Sequence, residues 1–150
     1  MTYEDMIRAV TAAVAFVSMF VGHQLGDHWV QTGAQACKKS LANDGRRSVA
    51  YWHCVKHVVG WTATTVVMFA SAAWWLHLPM RPGWLVAGVA VNAVTHYVAD
   101  LRTPLAWIAE RVGKGDVYHH LTVPFNGAYV LDQTWHLFWL FVAALLIAGP

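Results

Sequence analysis

Four long apolar stretches alternate with polar, turn-rich segments along the chain. The first predicts a helix from about Ile7 to Gln31, ended by the polar stretch Thr32 to Arg47 with Asn43-Asp44-Gly45 inside it. The second predicts a helix from Ser48 to Leu78, free of Asp, Glu, Lys and Arg beyond Val58 and stopped at Pro79, with Arg81-Pro82-Gly83 as a tight connection. The third runs from Trp84 to Leu101. Pro104 breaks or kinks it, and Ala106 to Lys114 is expected as a short interfacial helix before a Gly/Pro-punctuated loop through Pro124. The fourth takes Ala128 to Ile147. A span needs about 20 residues, so the pattern predicts an all-α integral membrane protein. Its expected form is a single domain over 1–150, a four-helix bundle running up-down-up-down.

Composition agrees: 57% of residues are hydrophobic, only 12% are charged, and the mean hydropathy is +0.41. The run Ala9 to Gly22 followed by Ala34-Gln35-Ala36 imitates a signal peptide. Glu4 and Asp5 precede it, however, and His23, Asp27 and His28 interrupt it, so the segment is expected to stay as the first helix. Cys37 and Cys54 form no C-x-x-C pair and no disulfide framework. The basic residues are scattered among short loops, which gives nucleic-acid binding no support. Lys38, Lys39, Arg46, Arg47, Arg102, Arg111 and Lys114 follow the first and third helices, against Arg8 and Arg81 on the other side; by the positive-inside rule both termini lie outside an inner membrane. Trp52, Trp74, Trp75, Trp84, Trp107 and Trp135 fall near helix ends, as interfacial aromatics do.

Ionisable groups inside spans cost several kcal/mol each unless paired, and here they come in pairs. These are His23 and Asp27, His53 and His57, His96 and Asp100, and Asp132 and His136. Each pair is spaced i, i+4, one helix face and about 6 Å apart along the axis. Each sits toward the end of its helix that adjoins a longer loop. In an up-down-up-down bundle those ends share one side of the membrane, so eight potential ligands converge near the cytoplasmic surface. The order His-x3-Asp then His-x3-His resembles His-x3-Asp then Asp-x3-His, which suggests two helical hairpins related by a pseudo-twofold axis.

Five imidazoles and three carboxylates suit a divalent metal, zinc first, with manganese and iron as alternatives. Eight ligands exceed one tetrahedral ion, so two or three ions are expected, with Asp27 and Asp100 as bridging or base groups. Gln24, Gln31, Asn92, Thr95 and Gln133 are placed to support the ligands. His28, His77, His119 and His120 read as hydrogen-bonded packing histidines rather than ligands.

The stretch from Gly22 to Thr32, with Thr95-His96-Tyr97-Val98-Ala99-Asp100 and Leu131-Asp132-Gln133-Thr134-Trp135-His136, resembles an uncharacterised family of small bacterial integral membrane proteins. More distantly, His23-x-x-Gly26-Asp27 and His96-x3-Asp100 are similar to the H-x3-D helices of membrane-bound metal-dependent hydrolases and of the zinc-dependent phospholipase C and single-strand nuclease superfamily. That likeness implies phosphoester hydrolysis at a zinc cluster. The resulting expectation is a hydrolase acting on a lipid phosphate at the inner leaflet, with the loop cations attracting the anionic headgroup. The competing expectation is a metal-ion or proton transporter built on the same cluster, for which a homodimer would supply the pathway.

Overall fold

The computed structural model describes residues 1–40 and 47–149; Asn43-Asp44-Gly45 and Arg46 lie outside them. It is all-helical. Helix α1 spans Tyr3–Leu25 and runs on into a π-helical turn, Gly26–Val30. Then come α2 (Gly33–Lys38), α3 (Arg47–Trp75), α4 (Pro82–Asp100), α5 (Thr103–Arg111), α6 (Gly115–His120) and α7 (Gly127–Ala148).

The capping chemistry explains most boundaries. Thr2 caps α1 reciprocally with Asp5, so the helix starts earlier than the apolar pattern suggests. Thr32 and Gln35 form the same box and nucleate α2 inside the stretch expected as loop. Pro82 begins α4 in the first turn, where its missing N–H costs nothing. Helix α3 ends at Trp75, short of Leu78, and His77 takes a left-handed φ of 53° just beyond it. After α4 the chain turns at Arg102, and α5 leaves at 86° to α4. Thr103 and Pro104 open α5, so the proline starts a helix three residues before the interfacial one expected from Ala106.

Three helices are long and apolar enough to cross a membrane: Tyr3–Val30, Arg47–Trp75 and Gly127–Ala148; the bent pair α4 and α5 makes a fourth if counted as one span. Apolar side chains lie on the outside of these helices and polar ones between them, as crossing a membrane would require. On α3, Val59 is 64% exposed while His57, two residues earlier, is 2% exposed.

Helix α1 packs on α3 and α7, and α4 on α7 and more thinly on α3. Away from the histidines, Ala15, Met19, Phe69, Ala73, Leu140, Ala143, Ala144 and Ile147 form an apolar core. Small residues let the backbones close up. A Cβ on Gly22 would stand 2.7 Å from Thr65 Cα, and one on Gly88 2.7 Å from the Ala143 carbonyl oxygen. Neither neighbour is a flexible side-chain tip. Gly22→Leu and Gly88→Leu are therefore each expected to destabilise the protein by about 1–3 kcal/mol, the usual cost of overpacking; thermal unfolding in detergent checks this, and an unchanged midpoint in both would refute the close packing.

Candidate metal centre

Helices α1 and α4 bring their carboxyl ends, and α3 and α7 their amino halves, to one polar cluster. Seven of the eight predicted residues meet there in three overlapping groups: His23, Asp27 and His96; His57, His96 and Asp100; Asp100, Asp132 and His136. His23, His57, His96, Asp100 and His136 are almost fully buried. His53 joins none of these groups among the described residues; it is half-buried, a full turn farther toward the amino end of α3.

The π-helical turn of α1 helps set the geometry. Inserting one residue into the helical repeat redirects the side chains that follow. The turn lies against Trp61, with Gly26 so close that a Cβ there would fall 2.5 Å from Trp61 Cδ1. Asp27 thereby projects between α3 and α4, its Oδ1 3.1 Å from His57 Nε2 and 3.6 Å from His96 Nε2.

The tightest part is a triangle. His57 Nε2 and His96 Nε2 are 3.1 Å apart, and Asp100 Oδ2 lies 3.2 Å from the first and 3.1 Å from the second. Asp100 Oδ2 and Asp27 Oδ1 are buried and have no hydrogen-bond partner in satisfactory geometry among the described residues. The other Asp100 oxygen, Oδ1, accepts a 2.6 Å ion pair from Lys39. Gln31 connects this arrangement once its amide is oriented by its neighbours: Lys39 Nζ can only donate, so the amide oxygen belongs on that side, accepting at 2.7 Å from Lys39 and at 3.3 Å from His57 Nδ1, and the amide nitrogen then donates to the Asp27 carbonyl at 3.1 Å.

These contacts sort the histidines by tautomer. His57 donates Nδ1–H to Gln31, which leaves the Nε2 lone pair facing the triangle, the arrangement a metal-binding imidazole needs. His23 is reversed. The Trp61 indole, which can only donate, gives its N–H to His23 Nδ1 at 3.0 Å. A neutral His23 must then carry its proton on Nε2, which faces Gln133 Oε1 at 3.2 Å and Asp27 Oδ2 at 3.6 Å. A protonated ring nitrogen has no lone pair for a metal, so His23 hydrogen-bonds Gln133 and stands beside Asp27 instead. His136 stacks on His96 with centroids 4.1 Å apart and faces Asp132 Oδ1 at 3.4 Å.

Of the expected supporting residues, Gln31 and Gln133 touch the cluster, whereas the Thr95 hydroxyl bonds back to the Val91 carbonyl within its own helix. Trp61 is a site residue that the interfacial pattern of the nine tryptophans hides; its signal is its place four residues after His57 on the same stripe. His28 is exposed, its Nδ1 3.0 Å from the Gln24 carbonyl oxygen, and His119 faces Glu110 at 3.1 Å on the surface.

A family profile matches residues 15–149, almost the whole chain. The chain belongs to DUF3307, a family of proteins of unknown function. No curated protein and no solved structure matches it. The resemblance to an uncharacterised family thus stands, while the comparisons lend the likeness to zinc-dependent hydrolases no support. In this DUF3307 member the grouped His and Asp side chains could hold a metal ion.

The tautomer assignment is directly measurable. In protein labelled with 15N-histidine and stripped of metal, His23 is expected to be protonated at Nε2 and bare at Nδ1, and Trp61→Phe to release that preference. Protonation of His23 at Nδ1 in the unsubstituted protein would contradict it.

Proposed function

We propose that this protein is a membrane-embedded metal-dependent hydrolase that acts on phosphoesters, lipid phosphates among them, at the cytoplasmic face. The reading takes the chain as one domain, a four-helix bundle running up-down-up-down, in which α1 with α3 and α4 with α7 are the two related hairpins. Both termini lie outside, and the basic residues after the first and third spans lie inside.

One observation carries the metal centre: the triangle of His57 Nε2, His96 Nε2 and Asp100 Oδ2, with edges of 3.1, 3.2 and 3.1 Å. Ligands about 2.0–2.1 Å from a tetrahedral zinc stand roughly 3.3 Å from one another, so the three atoms already occupy one face of its coordination shell. Three protein ligands with a fourth position open is the pattern of catalytic zinc. The supports also fit, since His57 donates its other N–H to Gln31 and Asp100 is held through its second oxygen by Lys39. Eight ligands by sequence suggested two or three ions. The reversed His23 and the Lys39 ammonium reduce the demand to one, because Lys39 supplies positive charge that a further cation would otherwise bring.

A divalent ion held by His57, His96 and Asp100 would supply Lewis acidity toward a phosphoryl oxygen and toward water. Asp27, whose Oδ1 is a buried atom 3.1 Å from His57 Nε2 and receives no hydrogen bond of good geometry, would be the group to accept a proton from water there. His23, fixed by its Trp61 contact, stands beside Asp27. On the far side of the cluster the apolar core around Met19, Phe69 and Leu140 fills the space between the helices, which favours hydrolysis over passage of ions.

Elemental analysis of protein purified without chelator or added metal tests this. About one zinc per chain is expected, lost in His57→Ala and Asp100→Asn and kept in His53→Ala and His28→Ala. Asp27→Asn is expected to keep the metal while lowering phosphoester turnover by about 10²–10⁴-fold, the worth of a general base. Metal-free protein would defeat the centre, and loaded protein inert toward phosphomonoesters and phosphodiesters would defeat the hydrolase reading alone.

A further inference from the structure

Beside the triangle opens a cavity of about 230 Å³, whose walls include Asp27, Asp100, Asp132, Lys39 and Arg102. It is smaller than the roughly 300–1,000 Å³ of pockets that enclose a whole organic ligand. A polar head fits; the rest of such a molecule stays outside.

The charges in the wall decide which head. Three carboxylates face two cations, so the cavity by itself repels anions. A divalent ion on the triangle reverses the sign. Lys39 is already committed, held at 2.6 Å by Asp100 and at 2.7 Å by Gln31. Arg102, exposed and lining the same cavity, makes no ion pair among the described residues, which leaves its guanidinium available to a ligand there.

Arg102 also occupies a backbone position that an ordinary residue avoids. Its φ of 61° and ψ of −40° lie where glycine is favoured, at the 86° bend between α4 and α5. The conformation is held on both sides. Arg102 N donates to the Ala99 carbonyl at 2.8 Å, and the Arg102 carbonyl accepts from Ala106 N at 2.8 Å and from the Tyr118 hydroxyl at 3.3 Å. Strain of this kind gathers at ligand sites, where surrounding structure over-determines it. Glycine would serve the bend better and would remove the cation.

We propose that this cavity is a phosphate-binding subsite that forms only in the metal-loaded protein, with Arg102 gripping the phosphate oxygens through its planar fork. It rests on the metal centre proposed above and identifies which cation selects the substrate. A guanidinium presents paired N–H donors to two oxygens of one phosphate, which an ammonium cannot do. Metal and Arg102 would then hold the same group from two sides.

The experiment uses the full chain in detergent, loaded with Co²⁺ as a coloured stand-in for zinc, and reads visible absorption and heat on titration. The probes are inorganic phosphate and dihexanoyl phosphatidic acid. Both are expected to bind the loaded protein and not the metal-free protein. Arg102→Ala is expected to weaken both by about tenfold or more, the worth of a charge-assisted hydrogen bond, with Arg102→Lys in between and the Co²⁺ stoichiometry unchanged in each. The Co²⁺ stoichiometry shows that each variant is folded around its centre. Tighter binding of the lipid would identify a headgroup as the source, and equal binding the phosphate group alone; either result supports the subsite. Equal affinity in Arg102→Ala, or equal binding by metal-free protein, would overturn it while leaving the metal centre standing. Failure of the protein to take up Co²⁺ would overturn both.

Discussion

Two carboxylates buried between apolar helices must find positive charge, and the rest of the cluster follows from how they find it. Removing one partner from a buried ion pair costs roughly 3–5 kcal/mol, because the remaining charge has no water to turn to. Asp100 solves half of the problem with Lys39, brought over from α2 by the short polar connection after α1. Its other oxygen, together with Asp27 Oδ1, is left facing two imidazole nitrogens. That residual demand for a cation, at a point where the spacing already suits one, is the physical basis of the metal reading.

The imidazoles alone cannot meet the demand. Trp61 fixes His23 with its proton on Nε2, which hydrogen-bonds Gln133 Oε1 at 3.2 Å and stands 3.6 Å from Asp27 Oδ2, so His23 brings Asp27 no positive charge. His57 and His96 present Nε2 to each other at 3.1 Å, and two bare lone pairs at that distance repel unless a proton or a metal lies between them. The helix packing holds them there. Gly22 against Thr65 and Gly88 against Ala143 bring the backbones together, and the apolar core beyond keeps the four ends from spreading.

Much of this was legible in the sequence, because i, i+4 spacing on a helix is a strong geometric statement. The four pairs predicted which helix ends meet, and seven of the eight residues do come together. His53 stays apart because spacing specifies a face and not a depth, and a full turn along α3 carries it away from the others. Neither the tautomer of His23 nor the left-handed Arg102 could be read in advance. The first depends on an indole thirty-eight positions away in sequence, the second on a bend that Pro104 signals without fixing. The helix α2, in contrast, was announced by Thr32-x-x-Gln35 and hidden only by the polar character of its surroundings.

A cation held by two imidazoles and one aspartate would show itself most directly in X-ray absorption at the zinc edge. Zinc-loaded protein should show a first shell of nitrogen and oxygen only, at about 2.0–2.1 Å, with outer-shell scattering that fits two imidazoles. Three or more imidazoles would mean that His23 or His136 has turned to the metal. Sulfur at about 2.3 Å would place the ion on a cysteine. Either result would contradict the centre described here.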